Sequence, residues 1–138
     1  MKLTRRDAIA MGLGATVVAM LPLRASAAGE EAIAAFTMGA DVGEGDITLT
    51  APEIAENGNT VPLGVSAPGA VSITLIAAGN PGPATCTFNF GPASGAQEAS
   101  TRIRLAGTQD VIAIAKMPDG SFIQAKQSVK VTIGGCGG

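Results

Sequence analysis

The chain ends Gly134-Gly135-Cys136-Gly137-Gly138, one thiol between two pairs of glycines. A thiol exchanges covalent partners reversibly, through its thiolate, and accepts a range of sulfur caps. Nothing else in this stretch has a side chain that could pack or pin the backbone. Glycine also pays the largest ordering entropy of any residue, and chain ends stay loose unless tied down. Gly134, Gly135, Gly137 and Gly138 are therefore expected to make a flexible arm with Cys136 near its tip. Five extended residues reach at most ~17 Å. An accidental cysteine on a frayed tail is the plainer reading, but free cysteine is usually buried and surfaces tend to avoid exposed thiols.

No activating base lies beside this thiol. With an ordinary pKa of about 8.5, only a few per cent would be thiolate at neutral pH. That equips Cys136 poorly as a lone catalyst. It suffices for a handle on which other enzymes act, each supplying its own activating surroundings. The sequence therefore points to a covalent carrier and not to an enzyme.

The remaining chemistry is sparse. Cys86 shares strand parity with Ala84, Phe88 and Phe90, which predicts a buried, inert core thiol. A disulfide to Cys136 would require the arm to fold back onto a buried strand. The chain has no histidine, tryptophan or tyrosine, so a Ser-His-Asp or Cys-His pair, c-type haem attachment and His-based zinc are excluded. Asp41, Glu44 and Asp46 sit around Gly43 and Gly45, but their spacing does not match a twelve-residue calcium loop. A solvated turn is expected there. Gly43-x-Gly45 is too short for a phosphate loop. No cofactor motif is present.

The elements that must position the thiol begin after an export signal. Thr4-Arg5-Arg6 fits a twin-arginine motif, an apolar run follows from Ala8 to Leu23, and Ala25-Ser26-Ala27 supplies a small-residue cleavage pattern. The apolar run is shorter than the ~20 residues a membrane span needs. Residues 1–27 are expected to be a cleaved signal, 28–133 a single domain and 134–138 the arm, with the protein in the periplasm. Twin-arginine export carries folded cargo, and in a chain with no cofactor motif a partner subunit is the reason for folding first. After the cut, Arg102, Arg104, Lys116, Lys126 and Lys130 are the whole basic complement, against twice as many carboxylates. Such a surface argues against nucleic acid or an anionic membrane as partner.

A short helix is predicted over Glu30 to Met38, with Ile33, Ala34 and Phe36 on its apolar side. β-branched runs punctuated by Gly, Pro and Asn follow, predicting strands over 46–50, 60–67, 71–78, 85–90, 100–105, 111–117, 122–126 and 128–133. Their number and spacing predict an all-β, immunoglobulin-like sandwich. Pro118-Asp119-Gly120 reads as a tight hairpin turn. Val129, Val131 and Ile133 are expected on one face of the last strand, rooting the arm in the core. Arg102 and Arg104 alternate with Ile103 and Leu105. The 111–117 run breaks alternation, because Ile112 and Ile114 make its second face apolar too. Either the N-terminal helix covers that face or another protein does.

Taken with the arm, these residues resemble the SoxY family, sulfur carriers of the thiosulfate-oxidising Sox system. The segment from Lys130 to Gly138 resembles the family's C-terminus, Ile47 to Gly58 its N-terminal segment, and Thr101 to Ala106 the stretch before its Gln-containing strand. Cys86 departs from the family's usual single cysteine. The resemblance implies an immunoglobulin-like subunit paired with a SoxZ-like partner, as a heterodimer or higher assembly. It implies that a haem-containing SoxAX-like enzyme attaches thiosulfate oxidatively to Cys136. A SoxB-like manganese hydrolase would then release sulfate, leaving a persulfide that a SoxCD-like sulfane dehydrogenase oxidises where present.

Two other readings use the same residues. Ubiquitin-like sulfur carriers end in Gly-Gly and form a thiocarboxylate, for which Gly137-Gly138 fits superficially, but export would remove access to ATP-dependent activation. A non-chemical secreted sandwich, serving adhesion or assembly, would make Cys136 dispensable.

Overall fold

The computed structural model describes residues 23–133. The twin-arginine segment, Cys136 and its four flanking glycines lie outside the described residues. Among the described residues one helix, α1 (Leu23–Thr37), precedes nine strands: β1 (Val42–Gly43), β2 (Thr48–Thr50), β3 (Ile54–Ala55), β4 (Val61–Ser66), β5 (Ser72–Ala77), β6 (Ala84–Asn89), β7 (Glu98–Ile103), β8 (Gln109–Lys116) and β9 (Phe122–Val131). They form an immunoglobulin-like sandwich. The larger sheet has the order β1-β9-β8-β5-β6, with β3 also paired to β9, and the smaller sheet the order β2-β4-β7.

Strand alternation fills the space between the sheets. In β4, Val61, Leu63 and Val65 are buried while Pro62 is exposed. They meet Ile73, Leu75 and Ala77 of β5, Val111, Ala113 and Ala115 of β8, Ile103 of β7 and Val129 of β9 in one cluster. Leu105, just past β7, is fully buried, and Arg102 and Arg104 point outward as alternation requires.

The second apolar face of β8 is covered from within the chain. Ile112 and Ile114 join Ile76 and Phe122 in a separate cluster, against which Ala32, Ile33 and Phe36 of α1 pack. The Phe36 and Phe122 rings meet edge to face with centroids 5.7 Å apart. Of the two covers the sequence left open, the helix is the one found, so this strand no longer calls for a partner. The packing positions are Gly29, Ala32, Ile33, Phe36 and Thr37, the spacing of one helical stripe. Ala34, expected on that stripe, is exposed because it is rotated about a quarter turn from Ile33. The helix starts earlier than expected, yet all these positions follow Ala27, so a cut there would leave its packing face whole. Left-handed backbone at Met38 and Gly39 ends it.

Two further differences bear on the C-terminal strand. The runs 122–126 and 128–133 are one strand, since Gln127 pairs with Val111 without interruption. No turn residue separates them, and a polar residue at an inward position does not by itself stop a ladder. The parallel strands β1 and β3 were not anticipated: each is two residues long, too short to show a period. They share one edge of β9, β1 pairing with Phe122 and Ile123 at its start and β3 with Lys130 and Val131 at its end. The Pro118-Asp119-Gly120 turn joins β8 to β9 as expected, with Gly120 in the left-handed region at φ 86° and its N–H donating to Met117 O at 3.0 Å.

The helix cover has a measurable weight. Ile114 is fully buried, and an Ile→Ala cavity in such a site costs about 2–5 kcal/mol. Ile114→Ala should lower the unfolding free energy of the isolated chain by that amount in a urea titration. Phe36→Ala should cost about 1–3 kcal/mol, less than full burial because the ring is half-exposed. Loss of well under 1 kcal/mol from both would mean that the helix does not cover this face in solution.

Candidate functional site

β9 ends just before Gly134, where the sequence expects an arm to begin. At Val131 the neighbouring strand β8 has already ended, since its first residue, Gln109, pairs with Val129. A side chain takes over the ladder there. The Thr108 hydroxyl accepts from the Val131 N–H at 3.0 Å and donates to the Val131 carbonyl at 3.4 Å. The other edge is held by the segment around β3. Lys130 N–H donates to Glu53 O at 2.9 Å and Thr132 N–H to Ala55 O at 3.1 Å, while the Thr132 hydroxyl donates to Glu56 O at 3.0 Å.

The last pin is a backbone bond. Gly58 N–H donates to the Ile133 carbonyl at 2.7 Å, and Gly58 O accepts from Leu105 N–H at 2.8 Å. Gly58 thus links the arm root to a residue buried in the core. It is presented by a local turn in which Asn57 Oδ1 accepts from Asn59 N–H at 3.0 Å. The loop carrying Leu105 and Thr108 is fixed in turn. Asn80 Nδ2 donates to Arg104 O at 2.7 Å, and Asn80 Oδ1 accepts from Ala106 N–H and Gln109 Nε2, each at 2.9 Å. Gln109 Oε1 accepts from Gly79 N–H at 2.9 Å. Position 79 has room only for glycine, because a Cβ there would lie 2.9 Å from Gln109 Cβ.

The chain is therefore held up to the carbonyl of Ile133, one peptide bond before Gly134. The anchorage differs from the sequence expectation in kind. Val129 is buried, Val131 half-buried and Ile133 68% exposed, so side-chain burial fades along the strand and hydrogen bonds take over. In the sequence the Asn57-Gly58 turn reads only as a break between strands and Thr108 as a loop residue, so neither announces the pin.

Cys136, Gly134, Gly135, Gly137 and Gly138 lie outside the described residues. Cys86 is on β6, three strands from β9 in the larger sheet, and is a free thiol. It faces the core beside Phe88 and Phe90 as expected, but is half-buried and not fully so, because β6 is an edge strand. Burial pushes its thiol pKa up. Asp41, Glu44 and Asp46 are all exposed, and no group of three or more candidate metal-binding side chains is found among the described residues.

Thr108→Val keeps the shape of the side chain and removes both bonds to Val131. It should cost about 1–2 kcal/mol of stability and raise hydrogen exchange at Val131 while leaving the centre of β9 protected. Uniform protection across β9 in the variant would refute the pinned root. For Cys86 the sign is fixed by the raised pKa: less thiolate exists at any given pH than in a free thiol. Its alkylation by iodoacetamide in a Cys136→Ser chain should lag that of a model thiol at neutral pH and catch up only above the ordinary thiol range. The desolvated neutral form likewise favours the folded state below that range, and the advantage is lost as pH rises through it.

The family model for the sulfur oxidation protein SoxY matches residues 33–136, a span that includes Cys136. The solved structure of the sulfur carrier protein SoxY from Chlorobium limicola f thiosulfatophilum is 33% identical, with a TM-score of 0.69 over 78% of this chain and 94% of that one. A superoxide reductase (neelaredoxin) from Ignicoccus hospitalis superposes with a TM-score of 0.54 at 18% identity, over 62% of this chain and 79% of that one, a likeness of fold alone. No curated protein matches the sequence. A family match that runs from the covering helix to the terminal cysteine places the chain in the SoxY family.

Proposed function

We propose that this SoxY-family sulfur carrier holds thiosulfate-derived sulfur covalently on Cys136, at the tip of a flexible glycine arm, and presents it to separate enzymes. The observation that carries this reading is the anchorage of the chain up to Ile133, immediately before Gly134. The last residue before the glycines is pinned, which would give a flexible arm a fixed origin.

The chemistry asks little of the carrier. In the loading step the Cys136 thiolate bonds to the terminal sulfur of thiosulfate, and two electrons pass to a haem-containing SoxAX-like enzyme. The product is a thiol-linked S–SO3 group with one negative charge. Water then attacks the sulfonate sulfur at a SoxB-like hydrolase, releasing sulfate and two protons and leaving a persulfide on the cysteine. A SoxCD-like dehydrogenase could oxidise that sulfur further. Each enzyme supplies its own activation; this chain supplies the thiol, the reach and a stable root. Family membership also supports a SoxZ-like partner subunit, and the twin-arginine signal supports folded export to the periplasm.

Intact-mass measurement of the protein from its native compartment tests the reading. Sulfur-containing mass increments that reductant removes, mapped to the C-terminal peptide and absent from Cys136→Ser, are expected. A thiocarboxylate at Gly138 would move the chemistry to the carboxylate. Full thiosulfate-oxidising activity in Cys136→Ser would leave only a structural or adhesive module.

A further inference from the structure

A sheet ends in strands with unpaired backbone groups, and proteins guard such edges by keeping them short, charged or bent. Among the described residues, three of the four sheet edges follow that rule. β1 and β3, which share one edge, have two residues each, and β2 has three. β7 is longer but carries Glu98 and Arg102, both exposed. β6 is the exception. It has six residues, and no position from Ala84 to Pro92 is charged. Its one irregularity is a skipped residue at Thr85, which leaves Cys86 to Asn89 in regular register with β5. α1 places a single carboxylate nearby, Glu31, in a cleft with Pro83 and Ala84 before the regular stretch begins.

The unguarded edge has a definite pattern. Phe90 N–H donates to Val71 O at 2.9 Å, and backbone groups alternate in direction along a strand. Cys86, Phe88 and Phe90 therefore turn their N–H and C=O groups to β5, while Thr87 and Asn89 turn theirs to the open side. The side chains of Cys86, Phe88 and Phe90 face the core but stay half-exposed, because the smaller sheet ends at β7 and does not extend over them. The edge thus offers free donors and acceptors beside an uncovered apolar row.

We propose that β6 pairs antiparallel with β6 of a second copy of this chain, about a two-fold axis at Phe88, joining two larger sheets into one. Thr87 of each copy then exchanges N–H···O bonds with Asn89 of the other. Phe88 lies opposite Phe88 and Cys86 opposite Phe90, in the close pairs with Cα atoms ~4.5 Å apart. The sulfur meets an aromatic ring, a favourable contact, and the apolar row runs on unbroken into its own copy. Charge favours this occupant. The carboxylates of the chain outnumber its cations, so two copies repel where each presents charge, and this edge presents none. One strand pair buries less than the ~1,200 Å² of a durable interface, so the dimer is reversible and depends on concentration. The proposal is independent of the carrier reading.

The test uses the full chain carrying Cys136→Ser, which removes disulfide pairing through the terminal thiol. Sedimentation equilibrium from ~1 μM to ~1 mM, the range of weak complexes, should show a monomer–dimer equilibrium. Hydrogen exchange at Thr87 and Asn89 should slow as concentration rises, while Cys86, Phe88 and Phe90 stay protected throughout. Asn89→Pro deletes an N–H that faces the open edge, a place where a strand tolerates proline. Asn89→Lys puts a cation on the edge, although its lower net charge would otherwise favour association. Each should weaken the dimer at least about tenfold and leave the circular dichroism of the dilute chain unchanged. Ser100→Lys, on the guarded edge β7, should associate like the parent. A chain that stays monomeric throughout overturns the proposal and leaves the edge to a strand of another protein. So does a dimer in which Thr87 and Asn89 exchange freely, or one that both Asn89 variants leave intact. Equal weakening by Ser100→Lys, or protection of Thr87 and Asn89 already in dilute protein, overturns it as well.

Discussion

A strand that outlasts its neighbour loses the ladder that holds its backbone, and the end of β9 replaces that ladder unusually. One edge is satisfied by a threonine hydroxyl in place of a strand, the other by the two-residue parallel strand β3, and the final carbonyl by a buried glycine. Were the ladder simply to stop, fraying would begin near Val129 and the arm would have no defined origin. The position of the chain at Ile133 therefore depends on a few hydrogen bonds around 108, 55 and 58 more than on burial of its side chains. The Asn80–Gln109 bonds matter for the same reason, since they fix the loop from which Thr108 reaches β9.

The core itself is light in aromatics and solves its problem with a third layer. The central strands β5 and β8 are buried on both faces, by the small sheet on one side and α1 on the other. This is why Ile112 and Ile114 break alternation, and it removes the need to invoke another subunit there. Any partner subunit would have to use another surface.

Much of this was legible in the sequence because it is local. The expectation of an arm comes from composition alone, and the residues that would form it lie outside the described part of the chain. The two-sided run at 111–117 announced a cover without naming it, and only packing could decide between the helix and another chain. The strands β1 and β3 were invisible because two residues carry no periodicity, and their partners lie about eighty residues away along the chain. The merging of two expected strands into β9 turned on Gln127, whose polarity looks like a break but whose backbone pairs normally. Ile133 was misplaced by extending alternation past the point where the sheet ends.

The pin at Gly58 bears on how this protein ages. Asn-Gly pairs deamidate readily when the glycine nitrogen is free to attack the asparagine side chain and close a succinimide ring. Here that nitrogen is engaged with the Ile133 carbonyl and the Asn57 side-chain oxygen with Asn59, so the seated arm root guards the bond against its own decay. Once isomerised, the altered linkage would lengthen the backbone at the spot that holds the root. Long-lived molecules would then lose their grip on Ile133 before they lost their fold.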